Sequence, residues 1–308
     1  MGEEMSFSED VKKELCKIEP CDFWHLMSET YGMMLFSKNF SEQSIVFLTE
    51  NKIVADKFID LNVKLTGSIV DIKTKLSFRD KNKTLYSLSI PHRNHRQNIL
   101  NLFHMTDGIK IDKRNFYNES CISDFLRGVF LSCGRISDPN KEYRLEFDIS
   151  HNELINDFVD IIDSLKNIEV KVNISKRNGT GVVYIKDNEQ ISELLTLIGA
   201  KNSAMNFIQV KMIKEVRNYV NRTTNFQTAN ISKTAAASVI QIEAINNIKK
   251  KRGLGYLSDE LKAVAEIRLA YPEFSLKELG EVFPVPISRS GLNHRLNKII
   301  EISKSIGD

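Results

Sequence analysis

The sequence predicts an α+β protein, a duplicated α/β domain followed by a C-terminal all-α domain. Three observations predict it. The same order of helical and β-type patterns occurs twice, in residues 22–104 and again in 121–199. From residue 201 onward the apolar periodicity is helical throughout. The charge balance also changes there: residues 1–200 carry 26 basic and 30 acidic side chains, residues 201–252 carry 10 and 2, and residues 253–308 carry 7 and 8.

Residues 1–21 form a charged N-terminal segment, "MGEEMSFSEDVKKELCKIEPC", with no apolar signal core. The first copy then opens with an apolar helix, "DFWHLMSETYGMMLFSK", followed by a short β-rich run, "SIVFLTE", and a helix, "NKIVADKFIDLNVKL". Two further strands, in "GSIVDIKTKLSF" and "KTLYSLSI", flank a turn at "RDKNK", and "RNHRQNILNLFHM" closes the copy as a helix. The second copy runs through "CISDFLRGVFLSCGR", "YRLEFDIS", "HNELINDFVDIIDSL", "EVKVNISK" and "GVVYIK" around a turn at "KRNGTG", then "NEQISELLTLIGA". The strands are read from alternating β-branched and aromatic residues bounded by Asn, Gly and Lys turns. Repetition on this scale implies one pseudo-two-fold domain over residues 22–200.

Residues 201–256 read as a basic helical linker. Two helices are expected, 204–220 and 229–249, broken at "NRTTN", with "GLGY" as the hinge that follows. An excess of eight positive charges in 52 residues fits a polyanion binder, and Arg222, Lys233, Lys249, Lys250, Lys251 and Arg252 form a candidate secondary basic patch. A solvated helical face is the competing reading of such a run.

Residues 257–308 carry three short helical patterns. "SDELKAVAEIRLA" gathers Leu261, Val264, Ala265, Ile267 and Leu269 near one face behind Ser258. "SLKELGEVF" starts with the capping-box pair Ser275 and Glu278. After the rigid "FPVP", a helix capped by Ser288 is expected to bury Leu292, Leu296, Ile299 and Ile300. This is the layout of a helix-turn-helix. Its third helix would turn Ser290, Asn293, His294 and Asn297 outward, with Arg289 and Arg295 at the borders. Polar side chains there reach base edges and arginines reach phosphates. Gly291 would permit close approach of a DNA backbone, and Ser275, Lys277, Ser288 and Lys298 complete the candidate DNA-contacting set. A three-helix bundle serving protein contacts is the alternative.

The repeat helices carry one more signal. "FLRGVFLSCG" has the outline of a LAGLIDADG nuclease motif, with a cysteine where that motif keeps its catalytic acid. Together with "NRTTNFQTANISKTAAASVIQIEAI" and "SRSGLNHRL", nearly the whole chain resembles the WhiA family of bacterial sporulation and cell-division regulators. The resemblance implies a homing-endonuclease-like domain joined to a C-terminal helix-turn-helix. It puts Gly32 and Gly128 at the contact between the two motif helices, and Ser37 and Cys133 at the two acid positions. Neither serine nor thiol replaces a carboxylate in holding magnesium, so a non-catalytic scaffold is expected. Asp124 and Asp138 lie nearby but off the acid position, and read as a helix N-terminal charge and a turn residue. Phe226 stands where the family more usually has cysteine.

The remaining candidates are weak. His92 and His95 in "PHRNHR" have no further ligand at metal-site spacing, and the four cysteines (Cys16, Cys21, Cys121, Cys133) never form CxxC. No phosphate-binding glycine loop occurs, and Trp24 with the methionines of "YGMML" reads as core. No metal, cofactor, small-molecule substrate or membrane span is expected. The expected chain is a cytoplasmic, nucleoid-associated transcription regulator that binds double-stranded DNA. The resemblance implies roles in cell division, chromosome segregation or sporulation, and admits a second transcription regulator or a cell-division protein as partner. A residual metal-dependent endonuclease and a structural adaptor stay open as alternatives.

Overall fold

The computed structural model describes residues 6–77, 84–105, 108–166, 168–177 and 179–306. The chain divides into two compact units, Met1–Lys214 and Glu215–Asp308.

The first unit begins with a helix in the segment read only as charged. α1 (Phe7–Leu15) starts at a capping box in which Ser6 and Glu9 satisfy each other's backbone N–H, and it buries Val11 and Leu15. The first repeat follows as α2 (Phe23–Leu35), β1 (Asn39–Phe40), β2 (Ile45–Thr49), α3 (Lys52–Thr66), β3 (Asp71–Leu76), β4 (Thr84–Ser89) and α4 (Arg93–Leu102). The second is α5 (Glu119–Cys133), β5 (Gly134–Ile136), β6 (Leu145–Ile149), α6 (Leu154–Asp163), β7 (Asn173–Arg177), β8 (Thr180–Ile185) and α7 (Asn188–Ile198). The expected turn at "RDKNK" lies outside the described residues, as does Asn178 of "KRNGTG".

Both repeats fold the same way. The first sheet has strand order β1-β2-β4-β3 and the second β5-β6-β8-β7, with antiparallel pairing throughout. Register places Phe47 opposite Leu88 and Phe147 opposite Val183, so one face of each sheet is apolar. That face meets helices: Phe47 stacks on Phe58 of α3 at 4.5 Å, and Phe147 meets Phe158 of α6 edge-on at 4.9 Å. The edge strands β1 and β5 escaped the sequence reading because two or three residues carry no periodicity.

α2 and α5 pair through reciprocal glycines. A Cβ on Gly32 would drive into Phe125 O and come within 3.0 Å of Val129 N. A Cβ on Gly128 would drive into Glu29 O and come within 2.9 Å of Met33 N. Both glycines therefore sit at the helix contact, as the motif alignment expects. Beside the contact lies a buried charge cluster in which the Arg127 guanidinium bridges Glu29 (3.3 Å) and Asp124 and donates to Ile198 O at 3.1 Å. Asp124 is thus not the helix N-terminal charge expected: it lies past the first turn of α5, is buried, and gives Oδ1 to Arg127 while Oδ2 lies 3.8 Å from His25 Nε2. Burial pushes the Glu29 carboxyl above its ordinary range while Arg127 opposes that shift. Asp138 is the turn residue expected, accepting from Asn140 N at 2.8 Å.

The chain between residues 201 and 251 is one helix, α8 (Lys201–Lys251), with no break at "NRTTN". Asn and Thr are weak helix formers, but only Gly and Pro cost enough to end a helix, and that stretch has neither. Glu14 of α1 caps the start of α8 by accepting from Asn202 N at 2.8 Å and Ser203 N at 2.9 Å. Gly253 (φ 76°) closes its far end.

The second unit packs the last turns of α8 with α9 (Asp259–Ala270), α10 (Leu276–Val282) and α11 (Arg289–Ile306). Ile245 and Ile248 of α8 share one core with Leu261, Val264, Leu279, Leu292, Leu296 and Ile299. Ile300 is only half-buried, against expectation, because it lies one residue past the inward stripe.

Candidate nucleic-acid interface

α10, a turn and α11 form the helix-turn-helix. The turn is tight because Gly280 O accepts from Ile287 N at 3.1 Å, and a Cβ on Gly280 would drive into Ile287 O. The sequence reading gave Gly280 no role, although a glycine inside "KELGEVF" is a visible sign of close approach. It also missed Arg268, which is buried and donates to Tyr271 O (3.3 Å), Pro272 O (3.5 Å) and Phe274 O (2.8 Å), pinning the loop before α10. Burial pulls its pKa below the ordinary arginine value.

Ser275 and Glu278 close the capping box of α10: Ser275 N donates to Glu278 Oε2 at 2.7 Å and Glu278 N to Ser275 Oγ at 3.3 Å. Ser275 therefore serves the fold, while Lys277 beside it is exposed. Ser288 caps α11 by accepting from Gly291 N at 3.2 Å, and its hydroxyl lies 3.2 Å from that of Ser290. A Cβ on Gly291 would come within 3.3 Å of Ser288 Oγ, so the capping hydroxyl would have to give by a few tenths of an ångström.

α11 divides cleanly. Leu292, Leu296 and Ile299 are buried, while Arg289, Ser290, Asn293, His294, Asn297 and Lys298 are exposed. The spacing 289, 293, 297 and 290, 294 lays them along one strip. Arg295 stands apart, half-buried and 3.3 Å from Glu260 of α9. No carboxylate pairs with Arg289, Lys298 or Lys277 among the described residues. In the secondary basic patch, Arg222, Lys233, Lys249, Lys250 and Arg252 are all exposed, and Lys251 donates to Ile306 O at 3.4 Å. Part of the excess charge serves the first unit: Lys211 pairs with Glu189 at 2.9 Å, and Lys214 donates to Pro139 O at 2.6 Å.

The first unit carries the other candidate surface. Ser37 and Cys133, 96 positions apart in the chain, line the same cavity of about 630 Å³ at the ends of α2 and α5. Ser37 is buried and donates to Asn39 O at 2.9 Å. Burial pushes the Cys133 thiol far above its ordinary pKa, against the pull of Lys12, so it stays neutral at physiological pH. Lys12 enters from α1 and donates to Leu131 O at 3.4 Å. Three carboxylates also line the cavity, and each is engaged: Glu9 in the α1 cap, Glu50 by Ser77, Asp148 by Arg135 at 2.6 Å. His92 and His95 meet only edge to face, rings 5.4 Å apart, at the start of α4. The described residues hold one cluster with metal-ligand geometry, Cys21, Asp22 and His25, where Asp22 already caps α2 and accepts from His25.

The second sheet gathers three arginines around one buried carboxylate. Arg135 reaches Glu146 at 2.6 Å, Arg144 reaches it at 2.7 Å and Arg177 at 3.2 Å. Burial pushes the Glu146 carboxyl up, but hydrogen bonds from Arg144 and Arg177 outweigh it and hold the group below its ordinary value.

A two-fold-repeated α/β domain with its motif helices clasped through glycines, followed by a helix-turn-helix, defines a class: a LAGLIDADG-type scaffold carrying a helix-turn-helix module. Family models for the WhiA LAGLIDADG-like domain and the WhiA C-terminal HTH domain match residues 122–217 and 220–303. The chain is 37% identical over 316 residues to a probable cell division protein WhiA of Thermoanaerobacter sp. (strain X514), covering 98% of each. It is 34% identical over 325 residues to another from Clostridium tetani, again covering 98% of each. The crystal structure of full-length DUF199/WhiA from Thermatoga maritima superposes with a TM-score of 0.61 at 26% identity, over 99% of this chain and all of that one. The N-terminal LAGLIDADG domain of DUF199/WhiA shares the fold at 22% identity and a TM-score of 0.50, over 63% of this chain and 92% of that one. The chain belongs to the WhiA family.

Proposed function

We propose that this chain is a DNA-binding transcription regulator, acting in bacterial cell division, chromosome segregation or sporulation, and that it reads duplex DNA with α11. The observation that carries the reading is the exposed strip Arg289, Ser290, Asn293, His294 and Asn297 on a helix whose cap, turn and core are fully built. Amides there suit the edge of adenine, and unpaired Arg289 suits phosphate. The relatives' shared name, probable cell division protein WhiA, supports the cellular setting. A duplex-DNA binder of this kind would work in the cytoplasm, at the nucleoid; no helix among the described residues is long and apolar enough to cross a membrane.

The test begins with a duplex selected from a random-sequence library by the full chain. Asn293→Ala should weaken binding to that site by about 1–3 kcal/mol and relax base preference at one position. Arg289→Ala should weaken binding to every sequence and flatten the salt dependence. Arg295→Ala should do less, because its guanidinium is shared with Glu260. Equal loss on all sequences for Asn293→Ala would rule out base readout.

The LAGLIDADG-type unit is proposed to be a scaffold without nuclease activity. Cleavage of a phosphodiester needs anionic ligands at the paired helix ends, where the two acid positions offer a hydroxyl and a neutral thiol and the cavity's three carboxylates are engaged by other groups. Incubated with magnesium or manganese, the purified protein should leave supercoiled plasmid intact. Metal-dependent nicking that disappears in a Ser37→Ala, Cys133→Ala variant would overturn this.

A further inference from the structure

The middle of α8 is unusual for a helix surface facing water. From Arg217 to Lys233 every side chain is exposed except Thr223, which is half-buried. An uncovered helix is best built from Ala, Glu, Lys, Arg and Gln, with acid–base pairs four residues apart. This stretch instead carries four asparagines, three threonines and a serine, all weaker helix formers than alanine. It holds three basic residues and no acidic one, and among the described residues no carboxylate pairs with Arg217, Arg222 or Lys233.

The polar residues are not scattered. Asn218, Asn221, Arg222 and Asn225 follow the i, i+3, i+4, i+7 spacing of one helix face, and Ser232 and Lys233 continue that strip four turns on. Amides flanked by unpaired cations are the chemistry that meets base edges and phosphates together. A helix about 10–12 Å across fits the roughly 12 Å major groove of B-form DNA, whereas the deep, narrow major groove of an RNA duplex excludes it.

We propose that the exposed middle of α8 is a second DNA-reading element, outside the helix-turn-helix, whose face of Asn218, Asn221, Arg222 and Asn225 enters the major groove. The proposal rests on the DNA-binding reading given above and adds a site to it. Its prediction is that the selected binding site contains two separable blocks of base preference, one lost with α11 and the other with α8.

The experiment repeats the random-duplex selection with full chains carrying Asn221→Ala plus Asn225→Ala, Asn293→Ala, or Arg222→Gln. Replacing asparagine by alanine raises helix propensity, so a loss of binding cannot come from melting α8, and circular dichroism checks this. The double variant should bind the wild-type site at least about fivefold more weakly, with preference relaxed in one block and an unchanged salt slope. Arg222→Gln should lower the slope of log K against log salt by about 0.9. Asn293→Ala should relax the other block. Unchanged affinity and base preference in the double variant overturn the proposal while leaving the helix-turn-helix reading intact. The same outcome with altered self-association in sedimentation assigns the face, with its exposed neighbours Tyr219, Val220 and Phe226, to a second copy of this chain. Failure of the wild type to bind any duplex in a salt-dependent way removes both readings.

Discussion

Gly128→Leu should destabilise the repeat domain by about 3 kcal/mol or more, because the added side chain has to displace the backbone of α2 rather than a flexible side chain. For a unit of this size that corresponds to a fall in melting temperature of roughly 6–12 °C. Gly32→Leu should behave alike, since its contact on α5 is the mirror of the first. Denaturant unfolding followed by far-ultraviolet dichroism measures both, and binding through α11 serves as a control confined to the second unit. A variant that melts like the wild type would remove the contact, and with it the structural basis for placing Ser37 and Cys133 at the acid positions.

Neutralising Lys249, Lys250, Lys251 and Arg252 together should give the largest change in DNA affinity. If each contacts a phosphate, about 0.9 counterion per charge is no longer released, and the slope of log K against log salt falls by roughly 3.6. Lys251 is already turned toward Ile306 O, so a smaller drop is the more exacting expectation. Cations at the end of α8 also favour its dipole by about 0.3–1 kcal/mol each, so helicity has to be recorded alongside the titration. A slope equal to that of the wild type would make this run an ordinary solvated helix end.

Much of the architecture was legible in the sequence because local and global preferences agree there. The duplicated order of elements, the capping box at Ser275 and Glu278, and the stripe Leu292, Leu296, Ile299 all reappear in place. The glycine contacts were legible only through the motif resemblance, since a lone glycine in "TYGMML" does not announce what it touches. Where the reading failed, the deciding force was non-local or mis-weighted. The "SFSE" capping box of α1 was present but overlooked because its flanks are charged. The break at "NRTTN" was inferred from weak propensity, which costs tenths of a kcal/mol per residue and ends no helix by itself. Asp124, Arg127 and Arg268 look like surface charges in a string of letters. Their burial depends on partners 98 residues away at Glu29, or on carbonyls presented by a loop. The outward strip of α11 followed from periodicity alone, whereas the diversion of Arg295 to Glu260 needed the packing of α9.

The reciprocal clasp of Gly32 and Gly128 also sets an order of events during synthesis. α2 leaves the ribosome nearly 100 residues before the helix that covers it. Until then Tyr31, fully buried in the finished protein, lacks the ring of Phe125 5.5 Å away, and Gly32 and Met33 lack the α5 backbone that packs on them. The first repeat can form its own sheet and α3 meanwhile, but its motif helix stays an adhesive surface for chaperones or for another nascent chain. Slow translation upstream of α5 should therefore raise aggregation of this protein more than slow translation after it, since beyond Cys133 the clasp is available and the exposed surface closes.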